Sequence, residues 1–169
     1  QTMNNDGQGS FLFHTRDNML FSGSAPVNQG AFTSQWIVPR DILPQIAPGK
    51  MIFWGLSQKK LAQGSNSDPY VGGYADNALN DQKGPEIELF MNDRNFVSGG
   101  ITNENPTLIA SLSDSSGINT SRSGVGHDIT MILDQDTRRQ YVLNKYYQAQ
   151  EGSYRQGELR YQLSDLDKG

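Results

Sequence analysis

Residues 105–136 read NPTLIASLSDSSGINTSRSGVGHDITMILDQD, two apolar runs separated by a stretch rich in turn-forming residues. In the first run Leu108, Ala110 and Leu112 recur at every second position, so they fall on one face of an extended chain. The glycine, asparagine, aspartate and serine residues between the runs are those that close tight turns. The spacing therefore predicts strands joined by turns.

The same period of two recurs in three other segments, residues 32–38, 86–91 and 158–163. Turn signals such as Asn92-Asp93 separate the segments, and strands about ten residues apart are typical of a β-sandwich. Further strands are predicted at the short apolar runs FLF (11–13), MLF (19–21), KMIFWGL (50–56) and DITMIL (128–133). The expected fold is all-β, an immunoglobulin-like β-sandwich built from two small β modules.

Two segments leave alternatives open. Residues 137–151 contain no glycine or proline and could be helical, but a strand at 139–144 could instead pair with 129–133 across a turn at 134–137. We favour the strand, because a hairpin needs no new partner. Residues 64–85 are polar and weakly periodic, which is typical of a linker or one long loop.

This polar stretch suggests a module boundary. We expect a partial β-sandwich module over 1–80 and a second β-sandwich module over 84–169 that lacks its last strand. The alternative is one continuous β domain.

The composition excludes several classes of protein. The 169 residues carry a net charge of −4 and include no cysteine. Disulfides, thiolate metal sites and cysteine nucleophiles are therefore absent, and the lack of a basic run argues against nucleic acid as a partner. No apolar run approaches the ~20 residues of a membrane span. The polar N-terminus lacks a signal-peptide pattern, so the chain is either cytoplasmic or a piece of a longer protein.

Several segments, in order along the chain, resemble the C-terminal β-domain region of gingipain-like (C25 family) peptidases. The most similar type is the PorU type, the signal peptidase and sortase of the type IX secretion system of Bacteroidetes. The segments that carry the resemblance are LFSGSAPVNQGAFTSQWIVPRDI (20–42), GKMIFWGLSQ (49–58), GPEIELFMNDRNFVSGG (84–100), residues 105–136 as quoted above and YVLNKYYQAQEGSYRQGELRYQLSDLDKG (141–169). The 105–136 segment is the most specific of them.

The resemblance implies a parent protein with a caspase-like catalytic domain N-terminal to this region and a Cys–His dyad. Those catalytic residues have no counterpart here, since cysteine is absent and His127, in GVGHDI, does not match the catalytic histidine. The chain is expected to be a fragment of a secreted peptidase from the periplasm or outer-membrane surface. Its expected partners are the parent's catalytic domain and other outer-membrane secretion components.

Such a fragment would lack a family strand after Gly169. We therefore expect an open sheet edge at 158–163 or the strand beside it, and edge-to-edge association of two copies.

Four aspartates, Asp114, Asp128, Asp134 and Asp136, could gather around a calcium ion, but their spacing does not follow the EF-hand pattern. We favour the interpretation that these side chains cap their own turns. Glycines 117, 124 and 126 would supply the positive φ angles of those turns.

Two sets of residues have side chains that could be catalytic, but a structural role suits each set better. A Ser123–His127–Asp128 triad fails because His127 and Asp128 are adjacent, and adjacent strand residues point to opposite faces. The other histidine that could act with His127, His14, is far away in sequence. We therefore expect His127 to begin a strand. Glu86 and Glu88 have the ~6–7 Å spacing that paired carboxylates can use. We expect them instead on a solvated face opposite buried Ile87 and Leu89.

Aromatic residues could form a sugar-stacking platform. Trp36 and Trp54 lie in apolar runs and are expected in the core, whereas Tyr70 and Tyr74 are the expected surface candidates; Tyr146 and Tyr147 complete the set. The NTS at Asn119 fits the glycosylation pattern, which we attribute to chance.

The expected function is a non-catalytic β-sandwich region that supports the parent's catalytic domain and partner binding. No catalytic, cofactor or metal residue is assigned. The alternative is a carbohydrate-binding or adhesion module, and a third possibility is a stand-alone hydrolase with an unrecognised site.

Overall fold

A computed structural model describes the chain over residues 2–3, 11–12, 19–39, 42, 45–73, 75–76, 81, 83–121 and 128–167. Within these ranges the regular structure is β-strand apart from one 3-10 turn, Asn144–Tyr146, so the all-β prediction is confirmed. The described part holds no helix with the length and apolarity needed to cross a membrane. The strands are β1 (Thr2–Met3), β2 (Phe11–Leu12), β3 (Ala47–Pro48), β4 (Met51–Leu56), β5 (Leu61–Asn66), β6 (Tyr70–Val71), β7 (Glu86–Met91), β8 (Thr107–Ser113), β9 (Thr130–Ile132), β10 (Gln140–Val142), β11 (Tyr147–Ala149) and β12 (Gln156–Gln162).

The chain divides into two compact units. The first unit comprises Gln1–Ile37 and Gln82–Gly169, and the second unit is Val38–Asp81. The boundaries predicted from sequence, 1–80 and 84–169 or one continuous domain, stay predictions.

A four-stranded antiparallel sheet with the order β11-β12-β8-β7 is the centre of the first unit. Its register places Leu112 of β8 opposite Ile87 of β7 and Gly157 of β12. Alternate residues therefore share a face across all four strands. One face is apolar and the other carries mostly polar side chains.

The hydrophobic core lies on the apolar face. Its buried residues come from β8, β11, β12 and the segments that follow β8, β10 and β12, and they are Leu108, Ala110, Leu112, Ile118, Leu143, Tyr147, Ala149, Leu159 and Leu163. The period-two patterns at 107–112 and 158–163 are thus confirmed as strands whose alternating apolar residues are buried, although Ile109, on the opposite face of β8, is buried as well.

Residues 129–146 confirm the hairpin that we favoured over a helix. Tyr141 of β10 lies opposite Met131 of β9, and both side chains pack against the core. The turn between the strands uses positive φ angles at Asp134 and Gln135, 54° and 58°, which match the right-handed twist of a hairpin.

Asn144 follows this hairpin and is a buried polar residue. Its Oδ1 accepts a hydrogen bond from the backbone N–H of Ile129 at 2.9 Å, and its Nδ2 donates to the backbone carbonyl of Thr120 at 3.2 Å. One side chain thereby ties together three separate segments of the core, and it satisfies backbone groups that burial would otherwise leave unpaired.

The second unit contains the β4–β5 hairpin and the short β3–β6 pair. The strand predicted at 50–56 is confirmed as β4. The loop predicted over 64–85 begins too early, because β5 continues to Asn66 and β6 occupies Tyr70–Val71. Polar, glycine-containing β5 remains a strand because every one of its residues pairs with β4.

Two predicted strands are wrong. Residues 19–21 and 32–38 belong to no strand of the described structure, and the bridge Asn28–Ala31 forms a turn between them. Their apolar side chains instead meet each other, with the Phe21 and Trp36 rings stacked at 5.9 Å between centroids. The strands in the segments 11–13 and 128–133, β2 and β9, have two and three residues and are shorter than predicted.

The predicted open edge at 158–163 is also wrong, because β12 is an interior strand with partners on both sides. The strand beside it, β11, is an edge of the sheet, but the N–H groups of Ala149 and Gly152 donate to the carbonyls of Ser22 and Ser24. The opposite edge is β7, the strand at Glu86–Met91.

Candidate functional site

The aspartates of 112–136 serve their own turns. Asp114 Oδ1 accepts the N–H of Ser116 at 2.8 Å, and Asp136 Oδ1 accepts the N–H of Arg138 at 3.0 Å. Both are Asx turns, in which the carboxylate satisfies a backbone N–H two residues later. The capping interpretation is confirmed for these two residues, and Gly117 has the expected positive φ of 107°.

Two arginine side chains form ion pairs with Asp136 and Asp134. The Arg138 side chain contacts Asp136 through Nε at 2.9 Å and Nη2 at 2.8 Å, and Arg139 Nη1 lies 2.9 Å from Asp134 Oδ2. The hydrogen bonds from the Arg138 side chain and then from its N–H lower the pKa of the Asp136 carboxyl below its ordinary value of 3.8. Burial opposes this shift, and the charge of Arg139 adds to it. Ion pairs with neighbouring arginines therefore engage Asp134 and Asp136, two of the four carboxylates that could have gathered around a calcium ion.

Among the described residues, no three His, Asp or Glu side chains lie close enough together to hold a metal ion. Ser123, Gly124, Gly126 and His127 lie outside the described residues, as do His14 and Tyr74. Asn119 Oδ1 accepts hydrogen bonds from both the N–H and Oγ of Ser121, each at 2.9 Å, so its amide takes part in the fold.

The polar face of the four-stranded sheet brings charged side chains together. Glu158 of β12 binds the guanidinium of Arg94, and its other oxygen lies 2.6 Å from Arg160 Nε. Ser111 separates Glu158 from Glu88 across the sheet. The surface forms an open depression of about 980 Å³.

Glu86 and Glu88 lie on this face as predicted, and both are exposed. Lys83 Nζ lies 3.5 Å from Glu86 Oε1, whereas Glu88 forms no hydrogen bond or ion pair with any described residue. Both carboxylates stand on an open surface instead of facing each other across a cleft. The geometry is that of a solvated strand face.

The burial predicted opposite these glutamates is wrong. Ile87 and Leu89 lie on the apolar face but retain 57% and 61% exposure. They belong to an edge strand, and the core residues pack over β8, β11 and β12 instead. The apolar face therefore continues beyond its covered part.

The aromatic residues take three different roles. Trp36 is half-buried against Phe21. Tyr146 packs edge-on against Tyr161 with 4.9 Å between ring centroids. Tyr147 is buried, and its hydroxyl has no hydrogen-bond partner in the described structure; burial raises its pKa to about 12.

The β4–β5 hairpin carries an exposed apolar surface. Its register puts Ile52, Trp54 and Leu56 on one face together with Leu61, and their exposed fractions run from 55% to 84%. We call these four residues the hairpin ridge. Trp54 is thus at the surface, contrary to the prediction of a core position, whereas the surface position predicted for Tyr70 is confirmed.

Sequence reasoning missed the ridge, the uncovered part of β7 and the buried polar groups of Asn144 and Tyr147. A signal for the ridge was present, since the partner strand LAQGSN offers little apolar area to cover a tryptophan. No comparable signal marks Asn144, because its partners are backbone groups far away in sequence.

No family model matches the chain, and no curated protein matches it. Among solved structures, the chain is similar to the crystal structure of dimeric latent PorU from Porphyromonas gingivalis, with 29% sequence identity and a TM-score of 0.49. The similarity covers 100% of this chain and 16% of that one. The chain thus spans about one sixth of the length of the PorU structure that it resembles.

Proposed function

We propose that this chain is a non-catalytic β region of a secreted, gingipain-like cysteine peptidase of the PorU type, and that it supports the catalytic domain of its parent. The sequence resemblance supports the family. The hairpin ridge is the observation that carries the supporting role, since it lies within one of the resembling segments, 49–58.

The physical argument rests on uncovered apolar area. Contiguous exposed apolar side chains usually mark a protein or membrane contact, and an isolated two-stranded hairpin is at best marginally stable in water. Burying the ridge, whose largest side chain is Trp54, would cover the exposed apolar area and stabilise the hairpin. A neighbouring domain of the same parent, present at high effective concentration, is the partner we propose.

The immunoglobulin-like arrangement belongs to the same proposal. The four-stranded sheet would be one layer, and the β9–β10 hairpin, whose Met131 and Tyr141 pack on its apolar face, would belong to the second layer. Other outer-membrane secretion components would be further partners, and the proposed location is the periplasm or the outer-membrane surface.

The test is binding of this chain to the separately produced catalytic domain of its parent, measured by calorimetry. We expect Trp54→Ser and Leu56→Ser to weaken binding by about tenfold or more, because each removes a large apolar contact. Val97→Ser, which changes a comparably exposed residue of the first unit, is the matched control. Absence of binding by the unchanged chain, or peptide hydrolysis by the chain alone, would contradict the proposal.

A carbohydrate-binding or adhesion module is the second candidate, favoured by the exposure of Trp54 and Tyr70 in the second unit. Sugars stack on aromatic faces, whereas a protein contact also accepts aliphatic side chains. Trp54→Leu separates the two functions: it should abolish glycan binding in an array but largely preserve binding to the catalytic domain.

A further inference from the structure

One edge of the four-stranded sheet, the outer edge of β7, is open. Asn92 N–H donates to the Thr107 carbonyl, and these two residues lie one step beyond the last pair of the β7–β8 ladder. In an antiparallel ladder, residues that bond to one neighbour alternate with residues whose backbone groups point away from it. Residues 86, 88 and 90 therefore bond to β8, and three residues direct their backbone groups outward, namely Ile87, Leu89 and Met91.

The bonds on the far side of β8 agree with this assignment. Asp114 N–H donates to the Arg155 carbonyl, so the even-numbered residues of β8 bond to β12 and the odd-numbered residues bond to β7. Within the described structure, the outward N–H groups of β7 have no partner, and the Met91 carbonyl accepts only the Asp93 N–H. The edge therefore offers backbone donors and acceptors to a further strand.

Both ends of this edge are marked. Pro85 lies at the next outward position and has no N–H to offer, and Asn92 turns the chain away with a φ of 65°. The open edge is therefore the segment Ile87–Met91, with Leu89 at its centre.

The two faces of this edge differ in chemistry. On the apolar face, Ile87 and Leu89 are 57% and 61% exposed, so a further strand would cover them. On the polar face, the exposed carboxylate of Glu88 has no ion pair with any described residue, because the Arg94 side chain is held by Glu158. The edge thus combines uncovered apolar side chains with a carboxylate that has no cation beside it.

We infer that the open edge of β7 binds an extended segment of a partner protein in which apolar and basic residues alternate. The segment adds a fifth strand to the sheet, a mode of peptide recognition in which main-chain hydrogen bonds supply affinity and alternate side chains supply specificity. It runs antiparallel to β7, as all neighbouring strands of this sheet do. The proposal is independent of the function proposed above, since the hairpin ridge lies in the second unit.

The register assigns a residue type to each position of the bound segment. From its N-terminal end, the residues of the segment lie opposite residues 91, 90, 89, 88, 87 and 86 of β7. Side chains directly opposite each other share a face, so the first, third and fifth residues are apolar and the fourth and sixth are lysine or arginine. The second residue, opposite half-buried Phe90, is β-branched. A slip by one residue would move the basic side chains to the apolar face.

Charge selects such a segment over a second copy of β7. The strand itself carries Glu86 and Glu88 and no basic residue, so another β7 would bring further carboxylates and no cation to the polar face. Opposite charges on neighbouring strands stabilise the pair, whereas like charges destabilise it. A basic segment supplies the cation that Glu88 lacks among the described residues.

Fluorescence anisotropy with two labelled peptides tests the charge pattern. The peptide Val-Thr-Val-Lys-Val-Lys follows the expected pattern, and Val-Thr-Val-Glu-Val-Glu reverses its charges. We expect the unchanged chain to bind the lysine peptide about tenfold more tightly, since the two glutamates of β7 attract one peptide and repel the other.

A charge reversal in the chain sharpens this test. Glu88→Lys should remove the preference, because each peptide then meets one opposite and one like charge. Glu151→Lys makes the same change of charge at an exposed position outside β7 and is the matched control. It should leave the preference unchanged.

Leu89→Pro tests the backbone pairing, since it removes the central outward N–H and leaves the bonds to β8 in place. Proline is tolerated on an edge strand where its N–H side faces solvent. Leu89→Ala is the matched control, because it also removes apolar area but retains the N–H. We expect Leu89→Pro to weaken binding about fivefold more than Leu89→Ala does. Far-ultraviolet circular dichroism verifies that all variants are folded.

Several results would overturn the proposal. They are no binding of either peptide, equal binding of both by the unchanged chain, equal effects of the two lysine variants, and equal effects of the two Leu89 variants. Sedimentation without peptide covers one further outcome, since a dimer that Leu89→Pro dissociates would mean that a second copy occupies the edge instead.

Discussion

Strands β8 and β4 have similar apolar sequences and opposite environments. TLIASLS forms an interior strand whose Leu108 and Leu112 are buried, whereas MIFWGL forms half of a hairpin whose Ile52 and Trp54 are exposed. β8 has a strand on each side and a core above it, while the one strand that pairs with β4 in the described part of the chain is polar β5. An apolar run therefore identifies a strand, but the neighbouring elements determine whether it is covered.

The largest expected difference between the two regions concerns a pair of leucines. Leu159→Ala, at a side chain that is 1% exposed, should destabilise the fold by about 2–5 kcal/mol, since it removes packed atoms and leaves a cavity. Leu56→Ala, at 84% exposure, should change stability by less than about 0.5 kcal/mol. Urea denaturation followed by circular dichroism measures both. Equal losses would mean that the hairpin ridge is buried in solution.

Two asparagines give the next largest contrast. Asn144→Ala leaves the half-buried Ile129 N–H and the buried Thr120 carbonyl without this partner, so we expect a loss of about 1–3 kcal/mol. Among the described residues, the Asn66 side chain accepts a hydrogen bond only from the exposed Asp68 N–H, at 2.8 Å, and Asn66→Ala should cost less than about 1 kcal/mol. The same denaturation experiment applies. A larger loss for Asn66 would contradict the role of Asn144 in tying three segments of the core together.

The outcome for particular residues shows what sequence patterns can establish. The alternation of Leu108, Ala110 and Leu112 predicted both the strand and its buried face, because period two has a direct geometric cause. The turns at Asp114 and Asp136 were equally predictable, since each carboxylate binds a group two residues away. Structure that depends on residues close together in the sequence can thus be predicted from the sequence.

Exposure was not predictable in the same way. Ile87 and Leu89 alternate as regularly as Leu108 and Leu112, yet they lie on an edge strand, and strand order is a property of the whole sheet. Trp54 was assigned to the core on hydrophobicity alone, which carries no information about the facing strand. The candidate calcium ligands also depended on distances between loops, which spacing along the chain does not determine.

Two strand glycines should respond in opposite directions. At Gly157 an added Cβ would collide with the Tyr147 ring and hydroxyl and with the Gln148 carbonyl, whereas at Gly64 it would meet nothing within 4 Å. Gly157→Ala should therefore destabilise by about 1–3 kcal/mol through overpacking. Gly64→Ala should stabilise by up to about 1 kcal/mol, since it restricts the unfolded chain. Thermal melting distinguishes the two signs, and stabilisation by Gly157→Ala would contradict the close packing of β11 on β12.

The smallest contrast compares two tyrosines. The Tyr147 hydroxyl is buried without a partner in the described structure, so Tyr147→Phe removes an unsatisfied polar group and should stabilise by about 1 kcal/mol. Tyr70→Phe, at an exposed ring, should have no measurable effect at neutral pH.

Alkaline pH tests the same tyrosine independently. Burial raises the folded-state pKa of Tyr147 from 10.0 to about 12, so between these values the unfolded chain releases a proton that the folded chain retains. Its contribution to stability is therefore fully present below pH ~10 and declines as pH rises towards ~12. Tyr147→Phe should flatten this part of the stability–pH curve, and Tyr70→Phe should not. An unchanged alkaline slope in Tyr147→Phe would mean that water reaches the hydroxyl, and that the contact between β11 and β12 is looser than the packing of Tyr147 over Gly157 implies.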